Sequence, residues 1–155
     1  MSLATDTIFI RALQSNRNLM ALISEGSGQP RLYGTAIPMP EEDADNVPVP
    51  YIIVTFDGLT NDNTTKDDPY EGDEDSVNIG IEVTARDLDE LHGLTQMVRD
   101  TILSYMHENE TDVDDYTFSA QAIMYDADKP CWFQVLNYLC DTKRDIHDED
   151  QGSEL

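Results

Sequence analysis

The fold is decided by residues 77–106, which read VNIGIEVTARDLDELHGLTQMVRDTILSYM. The first eight positions alternate between apolar and polar side chains, and this period of two predicts a half-buried strand. A helical period then runs from Leu88 to Met106, and Asp87 and Glu90 have the spacing of a capping box. We expect the apolar residues of the two elements to pack together: Val77, Ile79, Ile81, Val83, Leu91, Val98 and Ile102.

The residues before this segment predict one more helix and one or two strands. Apolar residues recur at helical spacing from Thr7 to Ser24, and glycines and a proline follow. Residues 31–37 can hold a short strand. Residues 51–56, YIIVTF, follow Pro50 and predict a strand with apolar side chains on both faces. One face should meet the core, and the other should meet a second layer or another subunit.

The residues after the segment predict two strands, Tyr116–Tyr125 and Cys131–Cys140, joined by a hairpin turn. The resulting order indicates an α+β, two-layer domain. Its sheet is mainly antiparallel, with four or five strands, and two amphipathic helices cover one face. Residues 1–141 form this single domain, and residues 142–155 form an acidic tail that we expect to be disordered.

The charge of the chain excludes several classes of function. Nine Lys and Arg residues stand against 32 Asp and Glu residues, which gives a formal net charge of −23. General nucleic-acid binding and adhesion to anionic membranes both need basic surface. The longest apolar run, residues 51–56, is far shorter than the ~20 residues of a membrane-spanning helix. The opening residues also lack the pattern of a secretory leader.

The acidic residues are concentrated in four blocks: 41–45, 67–75, 108–115 and 145–150. The second block ends a long polar connection, Asp57–Asp75, and loops of this length are often functional. A helix-loop-helix calcium site starting at Asp67 would have Gly72 at its sixth position. Pro69 at the third position and Asn78 at the twelfth do not fit that pattern, so we expect no metal site.

Side chains that could support catalysis do not form a recognisable pattern. His92, His107 and His147 have no partners at metal-ligand spacing. Cys131 and Cys140 lie nine positions apart on one predicted strand, so they should point to opposite faces and act as small buried apolar groups. The motifs GxSxG, GxxxxGK[ST] and GxGxxG are absent. We therefore expect a protein that is not an enzyme and that needs no cofactor.

The order of elements and two phrases resemble tail completion, or tail terminator, proteins of long-tailed bacteriophages and prophages. The first phrase is RLYG, residues 31–34, after the first helix. The second is PYIIVTFDG, residues 50–58, and a strand that leads into IEVTARDLDELHGLTQMVRDTI, residues 81–102, comes after it. The resemblance covers residues 8–141. The acidic loops and the acidic tail of this chain are longer than those in the pattern of that family.

The resemblance implies a structural protein that is made in the bacterial cytoplasm and resides in the virion tail. It implies a ring, usually a hexamer, at the head-proximal end of the tail tube, with tail-tube and head-tail connector proteins as partners. The candidate interaction residues lie on the strand that is apolar on both faces and in the acidic connection: Tyr51, Ile53, Thr55, Asp67, Asp68, Glu71, Asp73, Glu74 and Asp75.

The acidic loops have two interpretations under this resemblance. They can line the channel through which DNA passes, where like charge keeps phosphates from sticking. They can instead only keep an unassembled subunit soluble. Two other functions stay open from the charge alone: a DNA mimic that occupies the basic groove of a DNA-binding protein, and a weak calcium-binding module.

Overall fold

The computed structural model describes residues 2–35, 47–61 and 74–143. The acidic block 41–45, most of the predicted connection Asp57–Asp75 and the tail from residue 144 lie outside these ranges. In chain order the described elements are a 3₁₀ helix (Ser2–Ala4), α1 (Thr5–Gln14), α2 (Arg17–Leu22), β1 (Leu32–Gly34), β2 (Tyr51–Thr60), β3 (Glu74–Ala85), α3 (Leu88–Glu108), β4 (Val113–Ala120), β5 (Met124–Asp126) and β6 (Cys131–Lys143).

The strands form one mixed sheet with the order β1-β2-β3-β6-β4, and β5 also pairs with β6. β1 runs parallel to β2, and the other neighbouring strands are antiparallel. The α+β class predicted from the sequence is confirmed. The sheet has six strands instead of four or five, because the short strand β1 joins it and the stretch predicted as Tyr116–Tyr125 forms two strands.

The core lies between the described helices and one face of the sheet, which we call the inner face. Val77, Ile79, Ile81 and Val83 are all fully buried on this face, as their alternation predicts. The helices contribute further fully buried side chains to the same cluster: Phe9, Leu13, Leu19, Leu91, Val98 and Ile102. At about 25 cal/mol per Å² of apolar surface, this burial is the main favourable term for folding.

The predicted first helix, Thr7–Ser24, is divided in two. Asn16 has an extended backbone, and its side-chain oxygen accepts a hydrogen bond of 3.1 Å from the backbone N–H of Leu19. This bond caps α2 and satisfies one of its free N–H groups. The Asn16 side chain also donates to the Thr101 hydroxyl at 2.8 Å, which ties the break to α3. The helical layer therefore holds three described α-helices instead of two.

Two strand predictions also need correction. β2 continues through a bulge at Asp57 to Thr60, and β3 starts at Glu74, so both ends of the predicted polar connection are strand. The predicted strand Tyr116–Tyr125 is interrupted at residues 121–123. There the backbone N–H of Gln121 still bonds to Val135, and the Gln134 side chain donates to the Gln121 carbonyl at 2.8 Å. The Gln134 side chain thus supplies a hydrogen bond where the regular backbone pairing between β4 and β6 ends.

The last strand extends beyond the predicted domain boundary at residue 141. Thr142 is fully buried, and its hydroxyl lies 2.6 Å from that of Ser2. The Ser2 hydroxyl also donates to the Lys143 carbonyl at 2.9 Å. The first residues of the chain therefore hold the end of β6, and two residues assigned to the tail belong to the sheet.

Candidate functional site

The second face of the sheet, which we call the outer face, carries the predicted interaction residues of β2. Tyr51, Ile53 and Thr55 lie on it, while Ile52 and Val54 point into the core. The side chain of Tyr51 is only 9% exposed, and Ile53 and Thr55 are half-buried. The described helices all contribute their core side chains to the inner face. Because Tyr51 and Ile53 lie on the outer face and Ile52 and Val54 lie in the core, β2 has apolar side chains on both faces, as the sequence predicts.

The outer face changes in character along the strands. Near the start of β2 the cross-strand rows are mainly aromatic and apolar but include one carboxylate: Tyr51, Thr84 and Phe133 form one row, and Ile53, Glu82 and Val135 form the next. The middle of the face is polar and small, with Thr55, Gly80, Asn137 and Ser119 in one row. At the far end Asp115 lies directly opposite Asp141. The face therefore runs from apolar to acidic over the length of the sheet.

The turn between β5 and β6 folds Lys129 over the ring of Tyr51. The Lys129 ammonium lies 4.9 Å from the ring centroid, a cation–π distance. Tyr33 of β1 packs against the same ring, with centroids 6.5 Å apart. Burial raises the pKa of the Tyr51 phenol, and it also raises the pKa of the Glu82 carboxyl nearby. Tyr51 thus has neighbours within its own chain, and its contact with Lys129 was not predictable from the sequence because the two residues lie far apart along the chain.

The bulge in β2 places a carboxylate on the middle of the outer face. The Thr55 hydroxyl donates to Asp57 at 2.7 Å, and Gly58 after it has a φ of +152°, a conformation that side chains rarely adopt. A β-carbon at Gly80 would lie 2.9 Å from the Thr55 hydroxyl oxygen and closer still to the Asp57 carboxylate. The glycine of β3 therefore makes the space that Asp57 occupies.

Described acidic residues of three strands lie at one end of the sheet, which we call the acidic end: Glu74 and Asp75 at the start of β3, Asp114 and Asp115 at the start of β4, and Asp141 near the end of β6. Block 67–75 leads into β3, block 108–115 leads into β4, and block 145–150 follows β6. β3 starts beside the end of β6, and β4 starts there too. The chain topology thus collects charge that the sequence spreads from residue 74 to residue 141.

The predicted acidic interaction residues are only partly within the described chain. Asp67, Asp68, Glu71 and Asp73 lie outside it. Glu74 is exposed at the start of β3. Asp75 is only 5% exposed, and it accepts a hydrogen bond of 2.9 Å from the Asn61 side chain, which also donates to the Glu74 carbonyl. Asp75 therefore helps to join the end of β2 to the start of β3. Among the predicted acidic interaction residues that the structure describes, Glu74 is the one exposed for contact with a partner.

Arg31, in the segment RLYG, is buried and joins two parts of the chain through hydrogen bonds. It is 3% exposed, and its Nε donates to the Pro50 carbonyl at 3.0 Å. Its Nη1 donates to the Glu25 carbonyl at 2.7 Å and to the Ser27 hydroxyl at 2.8 Å. These bonds tie the turn after α2 to the entry of β2. Sequence reasoning found the phrase, but the partners of Arg31 are visible only in the fold.

A polar groove of about 840 Å³ lies on the other side of the molecule, between the α1–α2 break and α3. Its lining includes Asn16, Thr101 and Tyr105, together with charges of both signs from Arg17 and Asp100. The hydrogen bond between Asn16 and Thr101 joins two of the lining residues. The groove is thus a feature of the helical layer and is separate from the outer face.

The reactive side chains of the described residues lie in apolar surroundings. Burial raises the pKa of the Cys140 thiol to about 12 and raises that of the Cys131 thiol as well, so both thiols stay protonated at neutral pH. Within residues 2–35, 47–61 and 74–143, no three His, Cys, Asp or Glu side chains group as metal ligands. No helix in the same ranges is both long and apolar enough to cross a membrane.

Comparison with known proteins places the fold among virion components. No protein-family model and no curated protein sequence matches the chain. The structure is similar to a chain in the virion of a native gene transfer agent particle, with a TM-score of 0.51 and 11% identity over 90% of this chain and 94% of that chain. It is also similar to the gp17 protein of bacteriophage SPP1, with a TM-score of 0.47 and 14% identity over 94% of each chain. The resemblance drawn from the sequence is thus confirmed at the level of the fold.

Proposed function

We propose that this chain is a structural tail completion, or terminator, protein of a phage-like particle. It assembles as a ring, usually of six copies, at the head-proximal end of the tail tube. The observation that carries the proposal is the fold, which matches a virion chain over 90% of its length. The phrases RLYG and PYIIVTFDG, together with the order of the elements, point to the same class of protein.

The chemistry of the described surface supports a structural role in preference to a catalytic one. The described thiols lie buried and protonated, and the described histidines, His92 and His107, are exposed on α3 and far from any cysteine in sequence. The most distinctive surfaces are an apolar-to-acidic sheet face and the acidic end. Such surfaces suit contacts with other subunits and with the contents of a channel.

The acidic end has a place in this proposal. In a ring, three acidic blocks per subunit would border the central channel, and duplex DNA would pass without adhering because both surfaces are negative. Glu74, Asp115 and Asp141, which lie at one end of the sheet, support this placement. An orientation with the acidic end away from the channel would leave the charge only as a source of solubility.

The ring is tested by negative-stain electron microscopy of the purified protein, with and without isolated tail tubes, at moderate salt. We expect closed rings with a hole wide enough for duplex DNA, and we expect them at one end of each tube. Tubes that stay bare at both ends in the presence of excess protein would contradict the proposal.

The same preparation separates the alternatives. A DNA mimic would compete with DNA for a basic nuclease or repressor, and a gel-shift competition measures that directly. A calcium module would release heat on titration with calcium, whereas the ring subunit should give little. Tight competition with DNA together with bare tail tubes would favour the mimic.

A further inference from the structure

The sheet ends in two open edges. β1 forms one edge and β4 forms the other, and among the described residues no further strand pairs with either. An unpaired edge presents a row of backbone N–H and C=O groups that can bind another strand. We infer that β4 of one copy pairs with β1 of the next copy, so that the sheet continues from subunit to subunit. This inference rests on the proposed ring and assigns the contact that builds it.

The strand directions support this contact. β1 and β2 run the same way, β3 runs opposite to them, β6 runs opposite to β3, and β4 runs opposite to β6. β4 therefore runs opposite to β1 of its own chain. A neighbour displaced sideways, with its helices on the same side, brings its β1 beside β4 in antiparallel orientation, the more stable form of pairing.

The backbone groups that face outward can be identified on both edges. Arg31 accepts from the Ile52 N–H at 3.0 Å and Thr35 donates to the Val54 carbonyl at 2.7 Å, so these residues face β2. Because successive residues of a strand face opposite sides, Leu32 and Gly34 face the open edge. On the other edge the Gln121 N–H bonds to Val135 at 2.9 Å, which directs Phe118 and Ala120 outward by the same alternation.

These outward groups belong to residues on the same face of the sheet. Leu32 pairs with the core residue Ile52, and a β-carbon at Gly34 would lie 3.4 Å from Ile10 of α1. Phe118 pairs with Tyr138, which is fully buried in the core. Hydrogen-bonded partners in an antiparallel pair must share a face and direct their backbone groups at each other. β1 and β4 satisfy both conditions without turning one subunit over.

Charge favours this contact over a two-fold pairing of β4 with itself. β4 contains Asp114 and Asp115, whereas β1 (Leu32–Gly34) contains no charged residue. Self-pairing of β4 would bring two acidic strands together, and like charges across a strand pair are destabilising. Pairing of β4 with β1 avoids this repulsion. It also uses different surfaces on the two partners, which is the kind of contact that closes into a ring.

Proline substitutions at the two outward positions test the contact. Gly34→Pro and Ala120→Pro each remove one outward N–H and place a ring where the neighbour would lie. Gly34→Ala and Ala120→Ser are matched controls that keep the N–H, and both sites are exposed. In sedimentation velocity at moderate salt we expect the parent and controls to assemble, and each proline variant to associate at least about tenfold more weakly. Circular dichroism checks that all variants are folded.

Hydrogen exchange of the parent gives a readout that does not depend on the folding of a variant. On assembly, exchange should slow in peptides that contain residues 32–34 and 116–120 and stay unchanged in exposed parts of α3. Unchanged exchange at both edges would overturn the inference, as would proline variants that fold and assemble like the parent. Loss of assembly with Ala120→Pro but not with Gly34→Pro would indicate β4 self-pairing instead.

These outcomes are separable from the proposed function. Rings that bind tail tubes but lack edge protection would overturn the strand contact and leave the ring standing. A parent that remains monomeric up to near-millimolar concentration would overturn edge pairing as an intrinsic property of the chain, and the tail-tube experiment would then decide the function independently.

Discussion

At the scale of single residues, the structure assigns Arg31 to the stability of the chain. Its guanidinium is buried and bonds three acceptors on two segments: the Glu25 and Ser27 turn and Pro50. Hydrogen bonds to charged groups are worth more than neutral ones, and breaking buried ones leaves their partners unsatisfied. Arg31, which belongs to the RLYG segment on which the family resemblance rests, therefore has a structural role at the point where the chain enters β2.

Replacing Arg31 with lysine should destabilise the protein by about 2–4 kcal/mol, because a single ammonium cannot reach three separated acceptors. Urea unfolding followed by far-UV circular dichroism measures the loss. The matched control is Arg86→Lys, whose side chain is 49% exposed and whose surface ion pairs with Glu25 and Glu90 should each contribute under about 1 kcal/mol. Equal losses in the two variants would show that the buried bonds of Arg31 add nothing.

Glu82 on the outer face should make stability depend on pH. Burial raises the pKa of its carboxyl above 4.5, the value for the free side chain. The folded chain then holds a proton at pH values where the unfolded chain has lost it. The contribution of Glu82 to stability therefore falls as pH rises from the unfolded pKa through the folded pKa, and it stays unfavourable above that.

Glu82→Gln should consequently be more stable than the parent at pH 7, and the difference should vanish well below the unfolded pKa. Glu108→Gln, at an exposed residue at the end of α3, serves as the control for the loss of one charge. Urea midpoints at a series of pH values measure both differences. A gain at pH 7 that is equal in the two variants would assign the effect to net charge instead of burial.

At the scale of elements, the sequence predicts the strands and helices whose apolar residues follow a regular local period. The alternation of β3 keeps its four predicted apolar residues in the core, the helical period of α3 buries Leu91, Val98 and Ile102, and the Asp87 side chain accepts from the Glu90 N–H at 2.8 Å as the capping box predicts. The breaks were not predictable in this way. Asn16 divides the first helix through a bond to Thr101, which is distant in sequence. Gln134 similarly replaces the ladder where β4 and β5 separate.

The features of the candidate site divide in the same way, into those that depend on local sequence and those that depend on contacts between distant segments. The sequence predicts that β2 is apolar on both faces and that acid is clustered, because both properties are local. It does not predict that Lys129 covers Tyr51 or that Gly80 makes space for Asp57, because these contacts join segments far apart in the chain. It also does not reveal that acidic residues of β3, β4 and β6 lie at one end of the sheet, since that depends on the order of strands in the sheet.

The register of α3 on the sheet has a direct test. Val98 is fully buried and Leu103 is 59% exposed on the same helix. Val98→Asp places an unpaired carboxylate in the core and should cost about 3–5 kcal/mol, or prevent folding. Leu103→Asp should change stability by less than about 0.5 kcal/mol. Thermal unfolding by calorimetry measures both, and a Val98→Asp variant that melts like the parent would contradict the register.

At the scale of the whole molecule, the charge of −23 is organised by topology. The strand order brings described acidic residues of β3, β4 and β6 to one end of the sheet, and the two open edges lie at its sides. Edge pairing between copies would repeat the acidic end around a ring, because the outward groups assigned to the contact lie at Phe118 and Ala120, away from Asp114 and Asp115 at the start of β4. Assembly and repulsion of DNA would then use separate surfaces of the same sheet.

The proposal that the acidic end borders the DNA path predicts the effect of removing its charge. Substituting amides for six carboxylates should leave folding and ring formation intact, because the amides keep the acceptor that Asn61 uses: Asp67, Asp68, Glu71, Asp73, Glu74 and Asp75. Rings of this variant should retain duplex DNA in a filter assay at low salt, whereas parent rings should not. The retention should disappear at high salt, because salt screens the attraction between the remaining basic side chains and the DNA phosphates.

A control with the same change in net charge separates the channel from solubility. It carries six amides at other positions: Glu41, Glu42, Asp43, Asp45, Asp89 and Asp128. If position matters, particles with the first variant should deliver DNA less often than particles with the control at equal particle number. Equal delivery by both, with a common loss of solubility for the unassembled subunits, would instead mean that the acid serves only to keep the chain in solution.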